Sequence, residues 1–304
     1  MSTTLLEKAR NVPRPSRGAM LQRDPSVYQF WNDNEKVFED AWIEWERNAG
    51  HDNITLDRSL YSPALRRAIE QAWEDPTKEF SVKDLWAEVF PNVYKAQFFD
   101  PEKLSVLRDY LAKVADADIP LRPPYGISLN RGGAMLDPRS EGYLAAPTFQ
   151  AFYQDLMDHY MRPVARLLFS DVYGYDSQTF GFSIQWQAGQ DTKLQPHTDA
   201  SSVTLNVNLN LPGEEFSGSA VRFMDPINRK VENLFFEPGT ALIHHGNVPH
   251  ASEPITEGGR YNFVLWLYGE RGQVPYPHGE SAAPATPQER WTVPQIKSDN
   301  FAPF

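Results

Sequence analysis

Strict alternation marks the most informative stretch of the chain. Val203, Leu205, Val207, Leu209 and Leu211 fall on one face and Thr204, Asn206, Asn208 and Asn210 on the other, the period-two pattern of a strand with one packed side. The polar side carries four uncharged hydrogen-bonding groups where a solvent face would carry Lys, Glu or Arg. It therefore predicts the wall of a polar cavity. Phe180 to Gln187 alternates in the same way, Ala220 to Met224 and Val231 to Phe236 read as short strands around a tip at Pro226 to Lys230, and Arg260 to Tyr268 is a β-branched and aromatic run. A turn at Gly213 to Ser219 separates two of these segments. Short strands at this spacing predict a β-sandwich or barrel.

Elsewhere the period is helical. Tyr28, Phe30, Trp31, Phe38, Trp42 and Trp45 recur at spacings of three and four within Ser26 to Asn48, and further helices are predicted at Ser62 to Glu74, Ser81 to Val89 and Pro101 to Ala115. Thr148 to Phe169 reads as a long amphipathic helix that Pro163 would kink. Residues 1–20 predict a mobile or loosely draped arm, Ile119 to Pro124 a proline-rich joint, Gly132-Gly133 a turn, and the chain after Gln273 an extended wrapping tail or a partly disordered one. The resulting organisation is a helical layer (1–120) packed on a mostly β domain (121–273), followed by a Pro-rich tail (274–304).

Composition narrows the classes without changing this picture. With 304 residues and 41% hydrophobic content the chain can bury a large core. No apolar run reaches the ~18 residues of a membrane span, and the first residues lack a signal-peptide pattern, which predicts a cytoplasmic protein. A net charge of −11 argues against nucleic acid as a partner and is compatible with a cationic substrate. The absence of cysteine leaves His, Asp and Glu as the candidate metal ligands.

Those ligands gather around the alternating strand. His197 and Asp199 stand two residues apart just before it, and His250 follows a short apolar segment downstream. Two imidazoles and one carboxylate are the set that holds Fe(II) on one side and leaves three coordination positions open. His244 and His245 compete for the same role and read as packing or supporting residues. His159 reads as structural or exposed, and His51 and His278 as solvated. Arg260 opens the last strand, where its planar fork suits a carboxylate held bidentately, with Arg222 as the next candidate.

His197-x-Asp199, His250 and Arg260, spelled His-Thr-Asp-Ala-Ser-Ser-Val-Thr-Leu-Asn-Val-Asn-Leu-Asn and Gly-Gly-Arg-Tyr-Asn-Phe-Val-Leu-Trp, resemble the non-haem Fe(II)/2-oxoglutarate-dependent oxygenases, in their lysyl-hydroxylase and prolyl-4-hydroxylase-like branch. The resemblance runs from about Arg122 to Arg271, includes the segment Arg122 to Asp137, and does not extend into the first 120 residues. It implies a double-stranded β-helix (jelly roll) buttressed by helices. His197, Asp199 and His250 become the iron ligands, and Arg260 the residue that grips 2-oxoglutarate. Thr204, Asn206 and Asn208 then line the co-substrate pocket, with Asn208 nearest the carboxylate. Asn208 and Trp186 stand where relatives of the branch carry tyrosine, and an indole can donate but not accept.

The reaction implied consumes O₂ and decarboxylates 2-oxoglutarate to succinate while an unactivated C–H bond is hydroxylated, desaturated or cyclised. Retention of Asp199 argues against the halogenating variant, in which a small residue makes room for halide. The substrate expected is an amino-acid-like small molecule, with a protein lysyl or prolyl side chain as the alternative. A cupin-like metal- or sugar-binding protein is the rival of another class; it would need neither Arg260 nor O₂. Nothing in the residues bears on oligomeric state.

Overall fold

The computed structural model describes residues 4–22, 24–48, 55–124, 133–190, 192–275, 284–295 and 299–303. Its helices are α1 (Leu5–Arg10), α2 (Arg17–Leu21), α3 (Pro25–Asn48), α4 (Pro63–Glu74), α5 (Phe80–Lys83), α6 (Leu104–Asp116), α7 (Pro147–Asp155), α8 (Arg162–Leu168) and α9 (Pro287–Arg290). Its strands are β1 (Ala87–Phe90), β2 (Val93–Gln97), β3 (Gln178–Gln187), β4 (Leu194–His197), β5 (Val203–Asn208), β6 (Ser217–Gly218), β7 (Val221–Asp225), β8 (Lys230–Leu234), β9 (Thr240–His245), β10 (His250–Ser252), β11 (Ile255–Glu257) and β12 (Gly259–Tyr268). No helix among the described residues is long and apolar enough to cross a membrane.

The fold is antiparallel sheet with helices. Six strands in the order β1-β2-β9-β5-β12-β3 form one sheet, β4-β10-β7-β8 a second, and β11-β6 a two-stranded ribbon. Alternation assigns the faces of the large sheet. Val203, Leu205, Val207, Ile243, Phe263, Leu265 and Leu267 point to the helices and share a core with Trp42, Phe149, Phe152 and Leu107. The opposite face turns to the second sheet, where Phe90, Val93 and Leu242 meet Val221, Phe223 and Phe236.

Aromatic spacing organises the helical side. Trp42 and Trp45 of α3 lie edge to face at 5.2 Å, and Trp45 meets Tyr110 of α6 in the same way at 6.0 Å. Ser62 caps α4 through its hydroxyl, with Pro63 in the first turn as its sequence predicts. The predicted long helix is present as α7 and α8 joined by a π turn over Leu156–Met161. Pro163 has no N–H to offer the carbonyl of His159, and the Trp73 indole fills that place at 3.0 Å.

Two expectations need correction. Residues 4–22 are not a loose arm: Thr4 and Glu7 form a capping box, Glu44 accepts the Leu5 and Leu6 N–H groups, and Ala9 is buried. Helices this short have too few turns to show a period. The helix predicted over Ser81 to Val89 stops at Lys83, and β1 and β2 form a hairpin whose turn places Asn92 at φ +59°. Pro91-Asn92 between two β-branched and aromatic runs was the missed signal. Through β2 on β9, a piece of the first 120 residues extends the large sheet. Near the C-terminus, α9 is capped by Thr286, and buried Trp291 donates to Glu79, so this part of the tail is packed. The predicted Gly132-Gly133 turn lies partly outside the described residues.

Leu205 is fully buried where β5 meets the helices. Leu205→Ala is expected to lower unfolding stability by roughly 2–5 kcal/mol. The check is a denaturant titration, in which the midpoint should fall and the slope stay unchanged.

Candidate metal centre

Strand register brings the two histidines together. β10 runs antiparallel to β4 with His250 directly opposite His197, and their rings sit 4.4 Å apart between centroids. Two residues beyond β4, the Asp199 N–H donates to the Gly246 carbonyl at 2.8 Å. That approach requires glycine, because a Cβ at 246 would lie 2.0 Å from the Ser201 carbonyl oxygen. Asp199 Oδ1 is then 3.5 Å from His197 Nε2, and its Oδ2 is 3.7 Å from His250 Nε2. One atom from each of the three residues lies within 4.8 Å of the others.

Each imidazole is held in one tautomer. His197 Nδ1 lies 2.7 Å from the Gln195 carbonyl and His250 Nδ1 3.0 Å from that of Val248. A carbonyl only accepts, so both Nδ1 atoms carry the proton and both Nε2 lone pairs face the shared centre. Thr204 donates to Asp199 Oδ2 at 2.6 Å, which leaves Ser201 as the donor to Thr204 at 2.9 Å. Burial works against the Asp199 anion, but the contact with His197, the nearby His250 and His244 imidazoles and the Thr204 hydroxyl hold its pKa down to about 2. Burial pushes His250 below the usual histidine range. His197 feels the same desolvation, yet its contacts with Asp199 and the Gln195 carbonyl raise it.

These groups line one wall of a cavity of about 300 Å³ between the sheets. Thr204, Asn206, Trp186 and Arg260 line it as well. Arg260 faces Trp186 across the β12–β3 pairing and is completely buried. Its Nη1 donates to the Ser219 carbonyl, Nη2 reaches Ser252 Oγ at 3.3 Å, and Nε has no partner. No carboxylate among the described residues pairs with it, and burial lowers its pKa to about 9. A buried cation without a counter-ion is costly. An anion at this end of the cavity would remove that cost.

The remaining candidates fall elsewhere. Asn208, expected nearest the carboxylate, is not on the cavity wall; it is fully buried and bonded to Asn210 and Asn262. Arg222 is paired with Glu253 at 2.5 Å. His244 packs its ring 4.7 Å from His250 and gives Nδ1 to the His245 carbonyl, while burial drives its pKa to about 3, so it stays neutral. His245 lies 3.2 Å from Asp171, and His159 packs on Trp73. His51 and His278 lie outside the described residues. Sequence reasoning missed Ser201, Gly246, Ser219 and Ser252. Of these only Gly246, beside a histidine pair, carried a signal.

No protein-family model matches the chain. It is 24% identical over 282 residues to the 2-oxoglutarate and iron-dependent oxygenase domain-containing protein ICU11 of Arabidopsis thaliana, covering 88% of this chain and 66% of that protein. It is 31% identical over 190 residues to the 2-oxoglutarate and iron-dependent oxygenase domain-containing protein 2 of Xenopus tropicalis, covering 58% and 48%. The chain is a relative of the 2-oxoglutarate- and iron-dependent oxygenases. A procollagen-lysine,2-oxoglutarate 5-dioxygenase 1 from Rattus norvegicus is 29% identical over 139 residues, 45% of this chain and 19% of that protein. The chain thus spans less than two thirds of the length of these oxygenases. Iron and 2-oxoglutarate, the cofactor and co-substrate expected from the sequence, are those in the relatives' names, and a His-Asp-His donor set fits a divalent cation.

Metal binding here has a signed pH dependence. His197 must release a proton held above the usual range, whereas Asp199, at about 2, is ionised throughout. Lowering the pH from about 8 to about 6 should weaken divalent metal binding, approaching about tenfold per unit where His197 is protonated. Calorimetric titration with Mn(II) checks this, and affinity independent of pH would contradict it.

Proposed function

We propose that the protein is an Fe(II)- and 2-oxoglutarate-dependent dioxygenase that oxidises an unactivated C–H bond of an amino-acid-like small molecule. The observation that carries this reading is the buried, anion-free Arg260 guanidinium in the same cavity as the His197–Asp199–His250 cluster. A cupin-like binding protein would have no use for that arginine. The overall balance is R–H + 2-oxoglutarate + O₂ → R–OH + succinate + CO₂. Desaturation or ring closure would use the same oxidising equivalents.

In this proposal His197, Asp199 and His250 hold the iron, and Arg260 pairs with the distal carboxylate of 2-oxoglutarate. Bound Fe(II) supplies the site at which the keto acid and O₂ are brought together. The chain's own groups do the positioning. Thr204 keeps the Asp199 carboxylate turned to the centre, the Gln195 and Val248 carbonyls fix both imidazole tautomers, and Ser219 and Ser252 aim the guanidinium. Phe182, Ile184, Trp186 and Val264 line the cavity with apolar surface that keeps bulk water out. Asp199 fills the position that a halide would need, so hydroxylation, desaturation or cyclisation is favoured over halogenation. We read the two facing antiparallel sheets as a double-stranded β-helix within residues 121–273, with β1 and β2 added to its edge.

A small cationic or amino-acid-like substrate agrees with the net charge of −11. The second reading is a lysyl or prolyl side chain in a protein, favoured by the similarity to a procollagen-lysine dioxygenase.

The protein should convert 2-oxoglutarate to succinate with Fe(II), and His197→Ala or Asp199→Ala should abolish it; unchanged succinate release in either variant would dismiss the assignment. Arg260→Ala should raise the 2-oxoglutarate requirement by ~10² or more, the loss expected from a charge-assisted bidentate pair. A succinate-release screen of free amino acids against Lys- and Pro-containing peptides, with product masses, decides the substrate class. Turnover of peptides alone would select the second reading.

A further inference from the structure

We propose that Asn262 is a positioning residue that sets the polarity of the cavity wall by fixing which way the Asn206 amide faces. The inference rests on reading that cavity as the 2-oxoglutarate site.

Four asparagine side chains run in a row across β5 and β12, and backbone groups anchor their direction. An N–H can only donate, and that of Tyr261 reaches Asn210 Oδ1 at 3.0 Å; Asn210 Nδ2 donates to the Gly259 carbonyl at 2.7 Å, which can only accept. Asn210 is therefore oriented without ambiguity. Its own N–H meets Asn208 Oδ1 at 3.1 Å, so Asn208 Nδ2 is the donor towards Asn210 Oδ1 at 3.0 Å and Asn262 Oδ1 at 3.4 Å. Asn262, the register partner of Asn208, is left with Nδ2 on its far side, and that group donates to Asn206 Oδ1 at 2.6 Å.

Asn208, Asn210 and Asn262 are buried, so none can exchange its partners for water. The relay ends at Asn206, which lines the cavity with Thr204 and Arg260. Because its oxygen is taken by Asn262, its amino group is the end left for a ligand in the cavity, and among the described residues that group has no partner. Asn206 and Arg260 thus both offer donors to one cavity, a setting that favours an acceptor-only group such as a carboxylate over a hydroxyl or amide donor. Were Asn206 to flip, an oxygen would face the ligand's oxygens and Asn262 Nδ2 would face another amino group.

Asn262→Leu keeps the number and branching of the side-chain heavy atoms and removes the donor. With Zn(II) in the site, so that no turnover occurs, the variant should bind metal as the wild type does and 2-oxoglutarate about tenfold more weakly, the scale of one hydrogen bond to a charged group. In wild-type protein labelled with ¹⁵N-asparagine, the Asn206 side-chain NH₂ signal, assigned with Asn206→Asp, should shift on adding 2-oxoglutarate, and this response should be lost in Asn262→Leu. Binding by Asn262→Leu within about twofold of wild type overturns the inference. So does an unmoved Asn206 signal in wild-type protein that binds 2-oxoglutarate, a result that needs no variant to fold. Failure of the wild type to bind 2-oxoglutarate at all overturns the co-substrate reading and this inference with it.

Discussion

Everything at the site depends on β10 being paired on both sides. β4 on one edge sets His197 opposite His250, and β7 on the other sets Phe223 opposite His250, so the position and ring plane of His250 are fixed by backbone before any metal is considered. Slipping the β4–β10 register by one residue would send one imidazole to the other face of the sheet. The Asp199–Gly246 hydrogen bond ties the third candidate ligand to the same frame, and it holds because residue 246 has no side chain. A cluster assembled this way is organised in advance, so its geometry does not have to be imposed by the ion.

The large sheet divides the work between its two faces. Its apolar face packs on helices whose aromatic residues are large and well buried, which makes it rigid. That rigidity is what allows the other face to keep a poorly compensated cation and a row of amides away from water. Arg260 costs stability where it stands, with a carbonyl, a hydroxyl and two aromatic rings at 5.4 and 5.8 Å as its neighbours. An anionic ligand would remove that cost, so binding and stability are coupled at this one side chain.

The site was legible in the sequence to the extent that it lies on alternating strands. His197, Asp199, His250, Arg260, Thr204, Asn206 and Trp186 all reach one cavity, because period two fixes which side chains share a face. Asn208 shares that face too, but alternation says nothing about position along the strand. It lies in the amide row with Asn210 and Asn262, away from the cavity wall. The supporting contacts were not legible, since Ser201, Ser219 and Ser252 act through tertiary neighbours and carry no local pattern. In the fold, long amphipathic helices such as α3 and α4 were readable from period and caps, whereas β1 was read as the end of a helix because a four-residue strand gives period too little room. The π turn before Pro163 was visible only as a kink; its cause, the Trp73 indole on the His159 carbonyl, crosses 86 positions of sequence.

One dicarboxylate is expected to bridge a metal at His197, Asp199 and His250 to the guanidinium of Arg260. A crystal structure of the protein with Mn(II) and 2-oxoglutarate, prepared without oxygen, tests it most directly. The expected electron density has one ion on those three side chains, the keto-acid end of the ligand on the ion, and its far carboxylate on Arg260. An ion bound elsewhere, or 2-oxoglutarate held away from Arg260, would contradict it.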